Sequence, residues 1–200
     1  MEFKFCPCCA TPLSKNKEKK LFCNTEKNGC GWIFYNNPLP VVASLIVFPK
    51  KYIITQPKVE QEYDLDYKDF SETGILLVQR GVNPHKGEWC LPCGYIDSYE
   101  TPRSAGKRET FEESGFRVEL EKLLYACNPV PGKLNQILIS FLGYPISGFL
   151  NPGDDALDAR IFSNSEMPKV CFSAHEDIIN KWYKGEFGRI SKNARAGTFI

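Results

Sequence analysis

The chain has 200 residues, room for one domain of catalytic size plus a small appendage. Apolar residues make up 42% and aromatics 13%, enough for a packed core, which excludes a globally disordered chain. With 25 Lys and Arg against 24 Asp and Glu, the net charge of +1 gives no global case for nucleic acid or a membrane surface, so an anionic ligand needs a local site.

Residues Met1 to Cys6 hold no apolar core of a signal peptide. The longest strongly apolar run, Val41 to Phe48, reads as a buried strand too short to span a bilayer. Nine cysteines without a secretion signal favour reduced thiols or a metal site over disulfides, and a cytoplasmic location. Five of them lie between Cys6 and Cys30. Cys6 and Cys9 form a CxxC knuckle, and Cys23 and Cys30 a second pair at wider spacing, with Gly29 and Gly31 easing the chain path. That pattern predicts a structural Zn²⁺ ribbon over residues 1–36, with Cys8 left open as a substitute ligand.

Tyr35 to Pro40, with two close prolines, reads as a linker. Strands are predicted at Val41–Phe48 and Gly74–Arg80. The polar stretch Pro49–Thr73 between them reads as a hairpin extension or mobile loop. Trp89 to Ile96 is compact and turn-rich. Thr101 to Ser114 reads as a helix: Thr101 caps, Pro102 suits its first position, and Gly115 suits its exit. Gly106 inside it costs roughly 1 kcal/mol relative to Ala, a cost that close packing against a sheet would explain. Further strands are expected at Val118–Cys127, Asn135–Leu142 and Ala159–Phe162, with an acidic loop at Asp154–Asp158. A last helix is expected at Ser173–Lys184, then a polar tail over 185–200.

The chemistry concentrates on the middle helix. Glu109, Glu112 and Glu113 stand at i, i+3 and i+4 and share one face. Three crowded carboxylates repel one another unless a cation intervenes, and an oxygen-rich set suits Mg²⁺ or Mn²⁺. Arg108 can orient or partly neutralise them. Alone, such a cluster is more often a solvated acidic face. The wider pattern decides otherwise: Gly94, five residues, Glu100, seven residues, Arg108-Glu109, two residues, Glu112-Glu113, one residue, Gly115. This is the Nudix box, with Thr110 a soft departure at a position that is usually apolar.

The resemblance to the Nudix family covers roughly residues 40–180, including Leu76–Arg80 and Gly87–Ile96 on the approach to the helix. It implies an α/β/α sandwich around a mixed sheet over 38–184, and Mg²⁺-dependent hydrolysis of the diphosphate linkage of a nucleoside diphosphate derivative. It also implies Glu109, Glu112, Glu113 and the Cys93 backbone carbonyl as metal ligands, and a homodimer. A general base is expected among Asp154, Asp155 and Asp158, with Asp155 preferred. Arg80 and Glu100 are substrate-binding candidates, and His85 lies on a loop ahead of the box. The ribbon resembles that of NADH pyrophosphatases and of plant FAD/ADP-ribose diphosphatases. The Ser-Gln-Pro-Trp-Pro-Phe-Pro signature of the first type is absent, and Tyr35…Asn37-Pro38, Gly94-Tyr95-Ile96, Gln136…Phe141 and Arg160-Ile161-Phe162 resemble the second type, which implies FAD or ADP-ribose as substrate. NADH/NAD pyrophosphatase, RNA decapping-type and non-catalytic nucleotide-sensing readings are the alternatives. Trp89-Cys90-Leu91-Pro92-Cys93 imitates a redox motif, but the helix begins well after it, and buried thiols are the expected reading.

Overall fold

The computed structural model describes residues 3–49, 58–59, 73–129, 135–153 and 155–188. The chain divides into two compact units, Met1–Pro38 and Leu39–Ile200.

The first unit is a three-stranded meander of short strands: β1 (Ser14–Lys15), β2 (Leu21–Phe22) and β3 (Ile33–Phe34), paired in that order, antiparallel. The wide Cys23–Cys30 spacing is taken up by a 3-10 turn, Thr25–Lys27. The Asn24 side chain accepts from the Glu26 N–H at its start, and Asn28 leaves it in the left-handed region (φ 60°).

The second unit is built on β4 (Leu39–Pro49), β5 (Lys58–Val59), β6 (Thr73–Arg80), β7 (Trp89–Cys90), β8 (Cys93–Tyr95), α1 (Pro102–Ser114), β9 (Phe116–Cys127), β10 (Gln136–Phe149), β11 (Ala156–Ser163) and α2 (Ser173–Tyr183). Its mixed sheet runs β11-β6-β4-β10-β5, with β7 on β6, β8 on β4 and β9 on β10. The β4–β10 pair is parallel, and the other pairings are antiparallel. Strand β4 shows why this is a sandwich. Val42, Ile46 and Phe48 pack with Ala105 of α1, while Ala43, Leu45 and Val47 pack with Ile178, Ile179 and Trp182 of α2. Alternate side chains thus feed two cores, one under each helix.

Helix α1 is as capped as its sequence suggests. The Thr101 side chain accepts from the Ser104 N–H, Ser104 returns the bond, and Gly115 closes the helix at φ 82°. Its buried positions, Ala105, Gly106, Thr110, Glu113 and Ser114, are small or polar. A Cβ on Gly106 would lie 2.8 Å from Leu120 and 3.0 Å from the Ser44 hydroxyl, so glycine lets the helix sit close to the sheet.

Several boundaries differ from the sequence reading. The expected linker runs into β4: Leu39 and Pro40 pair with Gln136 and Ile137. Pro40 is tolerated because it opens the strand and contributes its carbonyl, which accepts from the Ile96 N–H at 3.2 Å. Strand β10 continues past Leu142 through Pro145 to Phe149, absorbing the proline at register shifts opposite β9. Asp158, expected in a loop, lies in β11. Of the stretch between β4 and β6, the described part is β5, which pairs with Gly148 and Phe149; the hairpin or mobile-loop reading of the rest falls outside the described residues. So does the tail beyond Gly188.

Candidate active site

Strand β8 is held on β4 through the pairs Ala43–Cys93, Val42–Gly94 and Val41–Tyr95, and α1 crosses beside it. At Gly94 the strand comes close to the helix side chains. A Cβ there would fall 2.2 Å from the Glu109 carboxyl group, so the first box glycine leaves space for the first box carboxylate.

Glu113 points inward. Its side chain is buried, and Oε2 accepts the Cys93 N–H at 3.0 Å. Burial above all pushes its carboxyl group up to about 8, and the negative charges of Glu109 and Asp155 push the same way. The Cys93 N–H and the positive charge of Arg80 oppose this.

Arg108 ties the remaining carboxylates together. Its Nε and Nη2 donate to the two oxygens of Glu100 at 2.8 and 2.9 Å, a bidentate pair. Nη1 donates to Glu109 at 2.7 Å and to Glu112 at 2.9 Å, and Nη2 also donates to the Tyr95 carbonyl at 3.1 Å. The bonds from Arg108 hold the Glu100 carboxyl below its usual range, and Glu100 in turn is the main cause of a raised Arg108 pKa. Glu112 is the open member: its side chain is 38% exposed against 12% for Glu109. The structure therefore brings Glu100, Arg108, Glu109, Glu112, Glu113 and Cys93 into one group.

The other candidates lie at the margin of this group or are engaged elsewhere. Asp155 sits on an exposed turn before β11, with its carbonyl accepting the Gly81 N–H at 2.5 Å, and its charge is felt by Glu113. Asp158 is engaged by Arg160 at 2.7 Å and accepts the Ala159 N–H at 2.8 Å, so it does not face the carboxylates as a free base. Asp154 lies outside the described residues. Arg80 donates from Nε to the Pro84 carbonyl at 2.8 Å, and its guanidinium stacks on Phe172 at 5.2 Å. His85 pairs with Glu88 at 3.1 Å on the surface. Sequence reasoning missed the Tyr95 carbonyl as a partner of Arg108 and the Gly81 tether of Asp155. Backbone partners carry no side-chain signature, although Gly81 directly after a strand was a visible hint.

In the first unit, the Sγ atoms of Cys6, Cys9, Cys23 and Cys30 lie within 4.8 Å of one another. Cys6 approaches Cys30 at 3.6 Å and Cys9 approaches Cys23 at 3.4 Å. Backbone N–H groups of Cys8 and Cys30 donate to the sulfurs of Cys6 and Cys23 at 3.4 and 3.2 Å. A Cβ on Gly29 would meet the Cys23 sulfur at 2.5 Å. The exposed Cys8 thiol is not one of the four.

No helix among the described residues is long and apolar enough to cross a membrane. The NUDIX domain family matches residues 68–182. The ADP-ribose pyrophosphatase of Methanocaldococcus jannaschii is 36% identical over 116 residues, 57% of this chain and 68% of that protein. Nudix hydrolase 3 of Caenorhabditis elegans is 28% identical over 112 residues, 54% of this chain but 43% of that one. Among solved structures, a NUDIX hydrolase from Nitrosomonas europaea superposes with a TM-score of 0.70 at 23% identity, covering 94% of this chain and 96% of the other. An ADP-ribose pyrophosphatase from Streptococcus suis gives 0.54 at 17% identity over 75% and 92%. At those identities the structures speak for the fold. The family match over most of the second unit, together with the box carboxylates gathered on α1, makes this chain a member of the Nudix hydrolase family.

Proposed function

We propose that the chain hydrolyses the diphosphate linkage of a nucleoside diphosphate derivative, with ADP-ribose the leading substrate and FAD the second. The carrying observation is the Glu109–Glu112–Glu113 array, which concentrates negative charge around one buried carboxylate. The donors are hard oxygens, and the buried Glu113 carboxyl group stands near Glu109 at the inner end of the set, so the residues fit Mg²⁺ or Mn²⁺. Glu109, Glu112, Glu113 and the Cys93 carbonyl would hold it. Such an ion, when bound, neutralises the diphosphate and lowers the pKa of water.

The chain's own residues supply the positioning. Arg108, fixed by Glu100, aims Glu109 and Glu112 toward the same space. Asp155 takes a proton from the attacking water as its oxygen bonds to phosphorus. The bridging P–O bond breaks, and the departing phosphate carries away its electron pair. With ADP-ribose the products are AMP and ribose 5-phosphate. The leading place of ADP-ribose rests on the name and 36% identity of the archaeal relative.

The Cys6, Cys9, Cys23 and Cys30 cluster is read as a closed, structural Zn²⁺ site. With Zn–S bonds near 2.3 Å, tetrahedral sulfurs lie about 3.8 Å apart, close to the 3.4 and 3.6 Å approaches seen.

A screen of ADP-ribose, FAD, NADH, dinucleoside polyphosphates and capped RNA with Mg²⁺ or Mn²⁺ tests the reading. Conversion of ADP-ribose to AMP is the expected result. Preferred cleavage of NADH or capped RNA overturns the substrate, and no cleavage of any overturns the activity.

A further inference from the structure

Cys90, Cys93 and His175 each offer a ligand atom, and these atoms lie within 4.8 Å of one another in the interior of the second unit. Cys171 lies beside Cys90, with which its thiol interacts, while its sulfur falls outside the mutual 4.8 Å group. The backbone holds it there: the Cys171 N–H donates to the Trp89 carbonyl at 2.9 Å, and Val170 bridges to Trp89 in parallel. We propose that Cys90, Cys93, Cys171 and His175 form a second, structural Zn²⁺ site, distinct from the N-terminal cluster.

Three observations carry this. His175 is 4% exposed, and its Nδ1 is buried with no hydrogen-bond partner. A buried imidazole nitrogen without a partner costs on the order of 1–3 kcal/mol, and a metal ion is one group that removes that cost. The donors also come as two short-spaced pairs, Cys90-x₂-Cys93 and Cys171-x₃-His175, brought together from distant parts of the chain. Three thiolates and a neutral imidazole around Zn²⁺ leave one net negative charge, and the Arg80 guanidinium stands beside the group, interacting with all three thiols. Its stacking on Phe172, which also touches the His175 ring at 5.1 Å, fixes it there.

The alternatives are a free-thiol pocket and a redox pair. For Cys90 the Cys171 contact lowers the thiol pKa, but the Cys93 contact and burial outweigh it. For Cys171 the Cys90 contact and burial both raise it, so both thiols stand above their ordinary value and neither is poised as an attacking thiolate. A metal ion supplies what deprotonation needs: each coordinating thiol releases its proton to solvent and gives the sulfur lone pair to zinc, with no change in oxidation state. Three protein sulfurs and one nitrogen leave no open position. The ion would clamp the start of α2 to β7 and β8, and so brace Cys93, whose N–H also holds Glu113. The metal assignment itself does not depend on the proposed hydrolysis.

Metal analysis of the full-length chain, purified with Zn²⁺ and dialysed, tests it. Two equivalents of zinc per chain are expected in the wild type. One should remain in Cys9→Ser/Cys23→Ser and one in Cys171→Ser/His175→Gln. Should either variant fail to fold, wild-type protein substituted with Co²⁺ decides. A Cys171 thiolate that resists iodoacetamide until a chelator is added, mapped by peptide mass spectrometry, supports the site. One zinc in the wild type overturns it. So do two zincs undiminished by Cys171→Ser/His175→Gln, or a Cys90–Cys171 disulfide in freshly purified metal-free protein.

Discussion

Cys93 touches two clusters of opposite character. Its backbone N–H donates to the buried Glu113 carboxylate, and its thiol lies among Cys90 and His175. The carboxylate cluster is oxygen-rich, tied by one arginine, and open at Glu112. The thiol cluster is sulfur-rich, with Cys90 and His175 buried and Cys93 and Cys171 partly buried, and has Arg80 beside rather than within it. The proposed Mg²⁺ site is suited to exchange and the proposed second Zn²⁺ site to permanence. Hard oxygens with one exposed member suit an ion that meets substrate, whereas buried soft donors suit an ion that never leaves.

The largest effect should come from the open side. Glu112→Gln keeps shape and removes charge from a half-exposed position, so turnover of ADP-ribose should fall by about 10²–10³-fold or more with Tm nearly unchanged. Steady-state kinetics beside a thermal melt check this, and retained activity would break the division of labour. Next is Arg108→Lys, which keeps the charge but cannot reproduce a bidentate grip on Glu100 together with bonds to Glu109 and Glu112. Turnover should fall about 10–100-fold, with weaker Mg²⁺ activation.

The smallest effect is thermodynamic. In Mg²⁺-free buffer, Glu113 titrates at about 8, above the range of an unfolded carboxylate. The folded chain then keeps a proton that the unfolded chain has released, so Glu113 makes stability fall as pH rises from about 5 to 8. Glu113→Gln removes this contribution, and the Tm loss between those pH values should shrink by on the order of 10 °C. Saturating Mg²⁺ should shrink it in the wild type as well. A Tm loss identical in wild type and variant would show that Glu113 is not held protonated.

The carboxylate cluster was legible in the sequence because metal-binding side chains on one helix must repeat at helical spacing, and α1 also announces its ends with Thr101, Pro102 and Gly115. The thiol cluster was not. Cys90 and Cys93 lie far along the chain from Cys171 and His175, and only the sheet and the start of α2 join them. Read locally, Trp89–Cys93 imitates a redox motif and reads as buried thiols, and the mates of those thiols lie too far along the chain to show. Strand ends failed for a related reason. Pro40 and Pro145 break strands on local grounds, but a strand start and a bulged pairing tolerate them, and pairing partners are non-local. Asp158 looked like a candidate base until Arg160, two residues on, was seen to occupy it.

The central claim is that Glu109, Glu112 and Glu113 hold a divalent cation against a diphosphate. Anomalous scattering from a crystal soaked in Mn²⁺ and a non-hydrolysable ADP-ribose analogue tests it most directly. The account predicts manganese between those carboxylates and the Cys93 carbonyl, touching the analogue's phosphate oxygens. Manganese bound elsewhere, with Glu109 and Glu112 still bonded to Arg108, would contradict it.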